Sequence, residues 1–138
     1  MIRQSFKPGP AAGREDRVIV SATKFVYRRP HYLTPVSFHA TRLRRAWHKV
    51  PGSIGLVTGA QPLKATTYSL SIWKSEEDLR RFLRSPIHAP LMRDYKRKLR
   101  SVKSVSWAME DFSPDKAWDE GQRRLAEPAA VDSREVTA

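Results

Sequence analysis

Four histidines, His31, His39, His48 and His88, are the side chains of this sequence best suited to move protons or hold a metal near neutral pH. No two of them stand at the i, i+4 spacing of a zinc site on one helix. Between residues 18 and 109 only Glu76, Glu77, Asp78 and Asp94 add carboxylates, and the chain has no cysteine, so a protein-built metal site is not expected. His88 follows Pro86 by two residues, near Phe82, Ile87 and Met92. Its imidazole reads either as a general base or heme ligand, or as a half-buried ring bonded to a helix end. His39 stands at the margin of an apolar helical stripe near Leu43 and faces either a cavity or solvent. His48 groups with arginines as a surface residue, and His31 falls in a loop.

Trp47, Tyr68, Trp73, Tyr95 and Trp107, with Phe82, are the rings that would surround a pocket. Large rings also dominate small cores, so the same set reads as ordinary packing or as the wall of a flat apolar slot. The basic run Arg93, Lys96, Arg97, Lys98, Arg100 and Lys103 is what a solvated helix face looks like. A grip on phosphates is the competing reading, but no nucleic-acid-binding motif accompanies it, and no glycine-rich loop offers a nucleotide a cradle.

The elements that must position these residues follow from periodicity and punctuation. Val18–Tyr27 is a strand, rich in β-branched and aromatic residues. A helix opens at Thr34 as cap with Pro35 at its first position, and buries Val36, Ala40, Leu43, Trp47 and Val50 until Pro51 and Gly52 stop it. Ser53–Gly59 is a short strand. Thr66–Trp73 alternates, with Tyr68, Leu70 and Ile72 on one face and Trp73 opposite. Ser75 caps a second helix with Leu79, Phe82 and Leu83 on its core side. Ser85 and Pro86 break that helix, and the second piece buries Leu91, Met92, Tyr95 and Leu99. Val102–Met109 is the last strand, with Val105, Trp107 and Met109 on one face. Ser113 and Pro114 start a terminal helix through Leu125. The first 17 residues read as a mobile arm, and the last dozen as too small and polar to fold.

At 138 residues one domain is expected over 18–110, between a basic arm (1–17) and an acidic tail (111–138). Residues 1–109 carry 22 basic and 6 acidic side chains, and residues 110–138 carry 4 and 8, within a net charge of +12. Such a field favours anionic partners without saying which. No run of about 18 apolar residues exists, so no span and no membrane partner are expected, and the reading is a cytoplasmic protein.

The order β-α-β-β-α-β is the split βαβ pattern of an α+β, ferredoxin-like sandwich, with two helices on one face of a four-stranded antiparallel sheet. The other face keeps apolar groups, because Trp73 lies opposite Tyr68, Leu70 and Ile72. Left wet, it would exceed the few hundred Å² of apolar patch usual on monomers. The expectation is a homodimer packed sheet to sheet over more than about 1,000 Å².

The stretch SIWKSEEDLRRFLRSPIHAPLMRDYKRKL, with Pro51–Gly52 before it and VSWAM after it, resembles the dimeric α/β-barrel superfamily of antibiotic-biosynthesis monooxygenases. Its nearest likeness there is to small bacterial proteins related to spheroidene monooxygenase and to a family of uncharacterised domains, over residues 18–110. The resemblance implies an apolar cavity for an aromatic or polyene substrate, which is deprotonated and then reduces dioxygen without a cofactor. His88 or His39 would be the base, and Arg84 or Arg93 the cation facing oxyanion charge. Heme-degrading relatives carry an Asn, Trp and His set, and this chain has no asparagine, so heme is left only as a ligand of His88. The reading from a different class is a noncatalytic dimer that binds an anionic partner.

Overall fold

The computed structural model describes residues 1–13, 17–128 and 134–135. In chain order its elements are β1 (Ile2–Arg3), β2 (Lys7–Pro8), β3 (Arg17–Tyr27), α1 (Leu33–Ala46), β4 (Ser53–Gln61), β5 (Thr66–Trp73), α2 (Glu76–Leu83), α3 (Ala89–Tyr95), β6 (Leu99–Glu110), α4 (Pro114–Ala126) and β7 (Arg134–Glu135). The four long strands lie in the order β6–β3–β5–β4, each antiparallel to its neighbour. One crossover runs through α1 and the other through α2 and α3, which is the ferredoxin-like arrangement expected from the element order.

Register sorts the long strands into two unlike faces. Successive side chains alternate across a strand, so partners aligned across four strands form rows. On one face the rows read Leu56–Ser71–Ser21–Ser106 and Thr58–Ser69–Thr23–Ser104. On the other they read Val57–Leu70–Ala22–Val105 and Gly55–Ile72–Val20–Trp107.

Helices α1, α2 and α3 cover the hydroxyl-rich face. There Trp47, Val50, Leu56, Trp73 and Leu79 form one buried cluster, and Tyr27, Val36, Met92, Tyr95, Leu99 and Val102 form another. Trp47, Trp73 and Phe82 meet ring to ring with centroids 5.2–5.6 Å apart. Helix α4 covers the aliphatic face. Its Ala117, Trp118 and Leu125 join Val18, Val20, Ala22, Leu70, Ile72 and Val105 in a cluster on that side.

This corrects two expectations. The Tyr68–Leu70–Ile72 face lies under α4 rather than under the crossover helices, because alternation separates two faces without saying which one a helix takes. The Trp73 face, expected to be open for a second subunit, lies under α1, α2 and α3, and the face opposite those helices is covered by the chain's own α4. A dimer built sheet to sheet would therefore require α4 to lift or to exchange between subunits.

Local signals set most of the boundaries. Ser75 caps α2: its Oγ accepts from the Asp78 amide (3.2 Å) and donates to Asp78 Oδ2 (2.7 Å). Arg81 donates to Asp78 Oδ1 at 3.2 Å, so this buried carboxylate is met on both oxygens. Ser113 caps α4 by accepting from the Lys116 amide at 3.1 Å. Thr34 does not cap α1. A 3-10 turn over Pro30–Tyr32 is already wound, with the Tyr32 amide donating to the Arg29 carbonyl, and the helix continues from it at Leu33.

Residues 1–13, expected as a mobile arm, lie along the sheet edge, with β1 and β2 both paired to β4. Phe6 supplies the seat, packed over Gly55 and 6.0 Å from the Phe112 ring. The last dozen residues lie outside the described residues except for Glu127, Pro128 and the backbone of β7, which pairs with β6.

Candidate functional site

A cavity of about 360 Å³ separates the helix layer from the hydroxyl-rich face of the sheet. Its floor carries Ser21, Thr23, Thr58, Thr67, Ser69 and Ser71, contributed by β3, β4 and β5. Its walls are apolar: Val36, Leu43 and Trp47 come from α1 and the turn after it, and Phe82, Leu91 and Met92 from α2 and α3. His39, His88 and Tyr95 line it as well. No Lys, Arg, Asp or Glu lines the cavity among the described residues.

The walls follow from helical spacing. Val36, Ala40, Leu43 and Trp47 recur at intervals of three and four, one inward stripe of α1. The floor follows from strand alternation, since Thr67, Ser69 and Ser71 are the residues skipped by Tyr68, Leu70 and Ile72. Part of the floor bonds to itself. Thr23 Oγ1 and Ser104 Oγ share a hydrogen at 2.8 Å, and Tyr27 Oη and Thr67 Oγ1 do so at 3.0 Å.

His88 sits where α2 has ended and α3 has yet to begin. Its amide donates to Ser85 Oγ at 3.3 Å, and its Nδ1 lies 3.3 Å from the Leu83 carbonyl. A carbonyl only accepts, so Nδ1 carries the hydrogen in that bond and Nε2 is the basic nitrogen. Burial against the Phe82 ring, 5.0 Å away, lowers the His88 pKa below its ordinary value and keeps the ring neutral. The same ring bonds a helix end and lines the cavity.

His39 also lines the cavity, edge-on to Tyr95 at 5.8 Å. Burial holds both tyrosines there in their protonated form. It pushes the Tyr27 hydroxyl up to about 12, and it raises Tyr95 further, with Tyr27 and Asp94 adding to the shift. The Tyr95 hydroxyl and Trp47 Nε1 are buried in the wall without a hydrogen-bond partner among the described residues. Such donors are uncommon in a folded interior.

Of the residues singled out in the sequence, the structure thus brings His39, His88, Trp47, Phe82 and Tyr95 to one cavity. Trp73 stands behind the wall, its Nε1 donating to Ser71 Oγ at 2.8 Å. Tyr68 borders the cavity, but its ring packs toward Trp118 on the opposite face and its hydroxyl donates to Gln61 Oε1. Trp107 is on that opposite face too, under the Arg124 guanidinium at 4.8 Å. Arg84 and Arg93 are exposed and do not line the cavity. The hydroxyl floor went unremarked in the sequence. Its signal was the Ser/Thr alternation in TTYSLSIW and SVKSVSW.

No family model and no curated protein matches the chain. Solved structures do. A dimeric ferredoxin-like protein of unknown function from Thermobifida fusca is 18% identical, covers 69% of this chain and 93% of its own, and superposes with a TM-score of 0.57. A candidate antibiotic biosynthesis monooxygenase from Deinococcus radiodurans is 10% identical over 70% of this chain and 95% of its own, with a TM-score of 0.58. A conserved protein from Methanosarcina mazei reaches 0.59 at 15% identity, covering 72% and 97%. No helix among the described residues is long and apolar enough to cross a membrane. In fold, the chain resembles ferredoxin-like proteins of solved structure, one of them described as dimeric and another as a candidate antibiotic biosynthesis monooxygenase.

Proposed function

We propose that the cavity binds a small, uncharged, largely apolar aromatic or polyene molecule carrying one or more oxygens, and that the protein oxidises it with dioxygen. The observation that carries this reading is the lining: apolar walls facing a hydroxyl floor, with two imidazoles and no fixed charge. An anionic ligand would meet no cation there, whereas a neutral ring with a hydroxyl or carbonyl meets both surfaces.

His88 serves as the base. Its Nε2 takes a proton from an acidic C–H of the bound molecule, and burial keeps the imidazole neutral until then. The carbanion gives its electrons to dioxygen, a C–O bond forms, and the peroxide O–O bond breaks to leave a carbonyl and water. Charge that develops on oxygen is met by the protonated Tyr95 hydroxyl and by floor hydroxyls, in place of the arginines suggested by the resemblance. Homodimerisation belongs to the same reading, through exchange of α4 or through a surface other than the aliphatic face.

Anthrone tests the chemistry, because its conversion by one dioxygen to anthraquinone and one water is followed by oxygen uptake and absorbance. Quenching of tryptophan fluorescence by 2-naphthol tests the binding, since Trp47 lines the wall. Saturable quenching and oxygen uptake are expected. His88→Ala should keep the quenching and lose about 100-fold in uptake, the size of a general-base contribution. Absence of saturable quenching would overturn the reading, and quenching without uptake would reduce it to a binding protein.

A further inference from the structure

We propose that the mouth of the cavity docks on an anionic lipid surface, from which an apolar ligand passes directly into the site. The inference rests on the reading of the cavity as an apolar-ligand site and adds the source of the ligand. Its starting point is the distribution of large hydrophobic residues that the fold leaves exposed: Met1, Ile2, Phe38, Leu63, Leu83 and Ile87. Ile2 and Leu83 line the cavity themselves, and Phe38, Leu63 and Ile87 are each next in sequence to a residue that does, whereas Met1 reaches past Gly59 to the Trp118 side of the sheet. Apolar side chains scattered over a surface need no explanation, but five that line one cavity or adjoin its lining residues in the chain mark an interaction surface.

The opening lies in the helix layer. α1 is tied to α2 by the contact of Trp47 with Phe82, and to α3 by the contact of His39 with Tyr95. Leu83 lines the cavity and is exposed on the α2 side of α1, while Ser37 and Thr41 line it and are exposed on the other flank, where Arg44 bonds to Ser5, so the space reaches solvent along both sides of α1. Phe38 is 63% exposed on α1, and Ile87 is 53% exposed in the segment that carries His88.

Charge selects the occupant. Arg42, Lys64 and Arg84 are exposed beside Phe38, Leu63 and Leu83, and the Arg42 guanidinium lies 5.9 Å from the Phe38 ring. None of the three belongs to an ion pair among the described residues. A second copy of a chain with a net charge of +12 would bring like charge to this rim. An anionic bilayer brings opposite charge to the cations and an apolar interior to the rings. The contact is peripheral and needs no span.

The test is flotation of the full chain with vesicles of phosphatidylcholine, alone or mixed with phosphatidylglycerol. Binding is expected to the mixed vesicles, weakening as salt is added. The double variant Phe38→Ser, Ile87→Ser should lose about tenfold in vesicle partition, because two apolar contacts are removed. Its 2-naphthol quenching should match wild type, since neither residue lines the cavity. Leu63→Ser, on a separate loop, should weaken partition in the same direction and guards against a folding defect in the double variant. The proposal is overturned by failure of wild type to float with mixed vesicles, or by equal flotation of wild type and double variant. A sedimenting dimer that the double variant dissociates would overturn it in favour of a second copy on the rim. Flotation without naphthol quenching would instead overturn the cavity reading and leave the docking surface standing.

Discussion

The two faces of the sheet are made by the same four strands, yet they are built for opposite ends. The face under α4 is dry and closed: Val57–Leu70–Ala22–Val105 runs across it, and Gly121 brings the helix so close that an added Cβ would lie 3.2 Å from the Ala22 Cβ. The face under α1, α2 and α3 carries Thr58–Ser69–Thr23–Ser104 in the neighbouring row and leaves about 360 Å³ unfilled. Burial of aliphatic groups stabilises the fold, whereas a row of hydroxyls below an open space adds little to it. Both sides of the sheet therefore hold buried clusters, but the side under α1, α2 and α3 also keeps the cavity to which ligand binding is assigned by proposal.

The sharpest way to break that comparison is on the dry face. Trp118→Ala should cost about 3–5 kcal/mol in urea unfolding, as expected for a buried large ring. A loss below about 1 kcal/mol would mean that α4 is not a structural layer. Gly121→Val should cost about 1–3 kcal/mol by overpacking against Ala22 and Leu70. Because it loosens α4 from an aliphatic surface, it should also raise self-association in sedimentation. Ser113→Ala removes the α4 cap for about 1 kcal/mol.

On the cavity side, Thr23→Val with Ser69→Val should leave unfolding stability within about 1 kcal/mol of wild type. The same pair should weaken 2-naphthol binding by about tenfold, the worth of one or two hydrogen bonds. A large stability loss with binding intact would show the floor to be structural. The smallest effect is that of pH. The His88 pKa is lower folded than unfolded, so the unfolded chain takes up the proton first as pH falls below the ordinary value of 6.5. Stability should then be full above that value, decline below it, and level off beneath the folded pKa. His88→Phe should flatten this dependence, which urea titrations over pH 4 to 8 would read, roughly the range bracketing histidine titration.

The order of elements was legible because each carried its own local signal, such as Ser75 with its acidic first turn, Ser113 with Pro114, and the Pro51–Gly52 stop. At Gly52 φ is +77°, and a Cβ there would overlap the Asp78 carboxyl, so the stop is also a packing requirement that only the structure reveals. Less legible was the assignment of faces. Tyr68 and Trp107 read as pocket residues because large rings suit an apolar slot, but the period-2 pattern is symmetric between two covered faces: Trp107 lies on the far one, and Tyr68 borders the cavity while its ring packs toward Trp118. The choice depended on α4, whose Trp118 and Leu125 claim the aliphatic side. Likewise Arg84 and Arg93 have the right chemistry for an oxyanion, but their helix positions turn them to solvent.

The pairing of β1 and β2 with the outer side of β4, and of β7 with β6, has a bearing on colloidal behaviour. An unpaired border strand offers its amides and carbonyls to any passing chain and templates fibre growth. Here short terminal segments cap both flanks, and Pro8 withholds an amide donor at one of them. Trimming the first eight residues would leave much of the β4 ladder open to other molecules, so handling at high concentration depends on the same segment that packs Phe6 on Phe112 and brings Ile2 to the cavity.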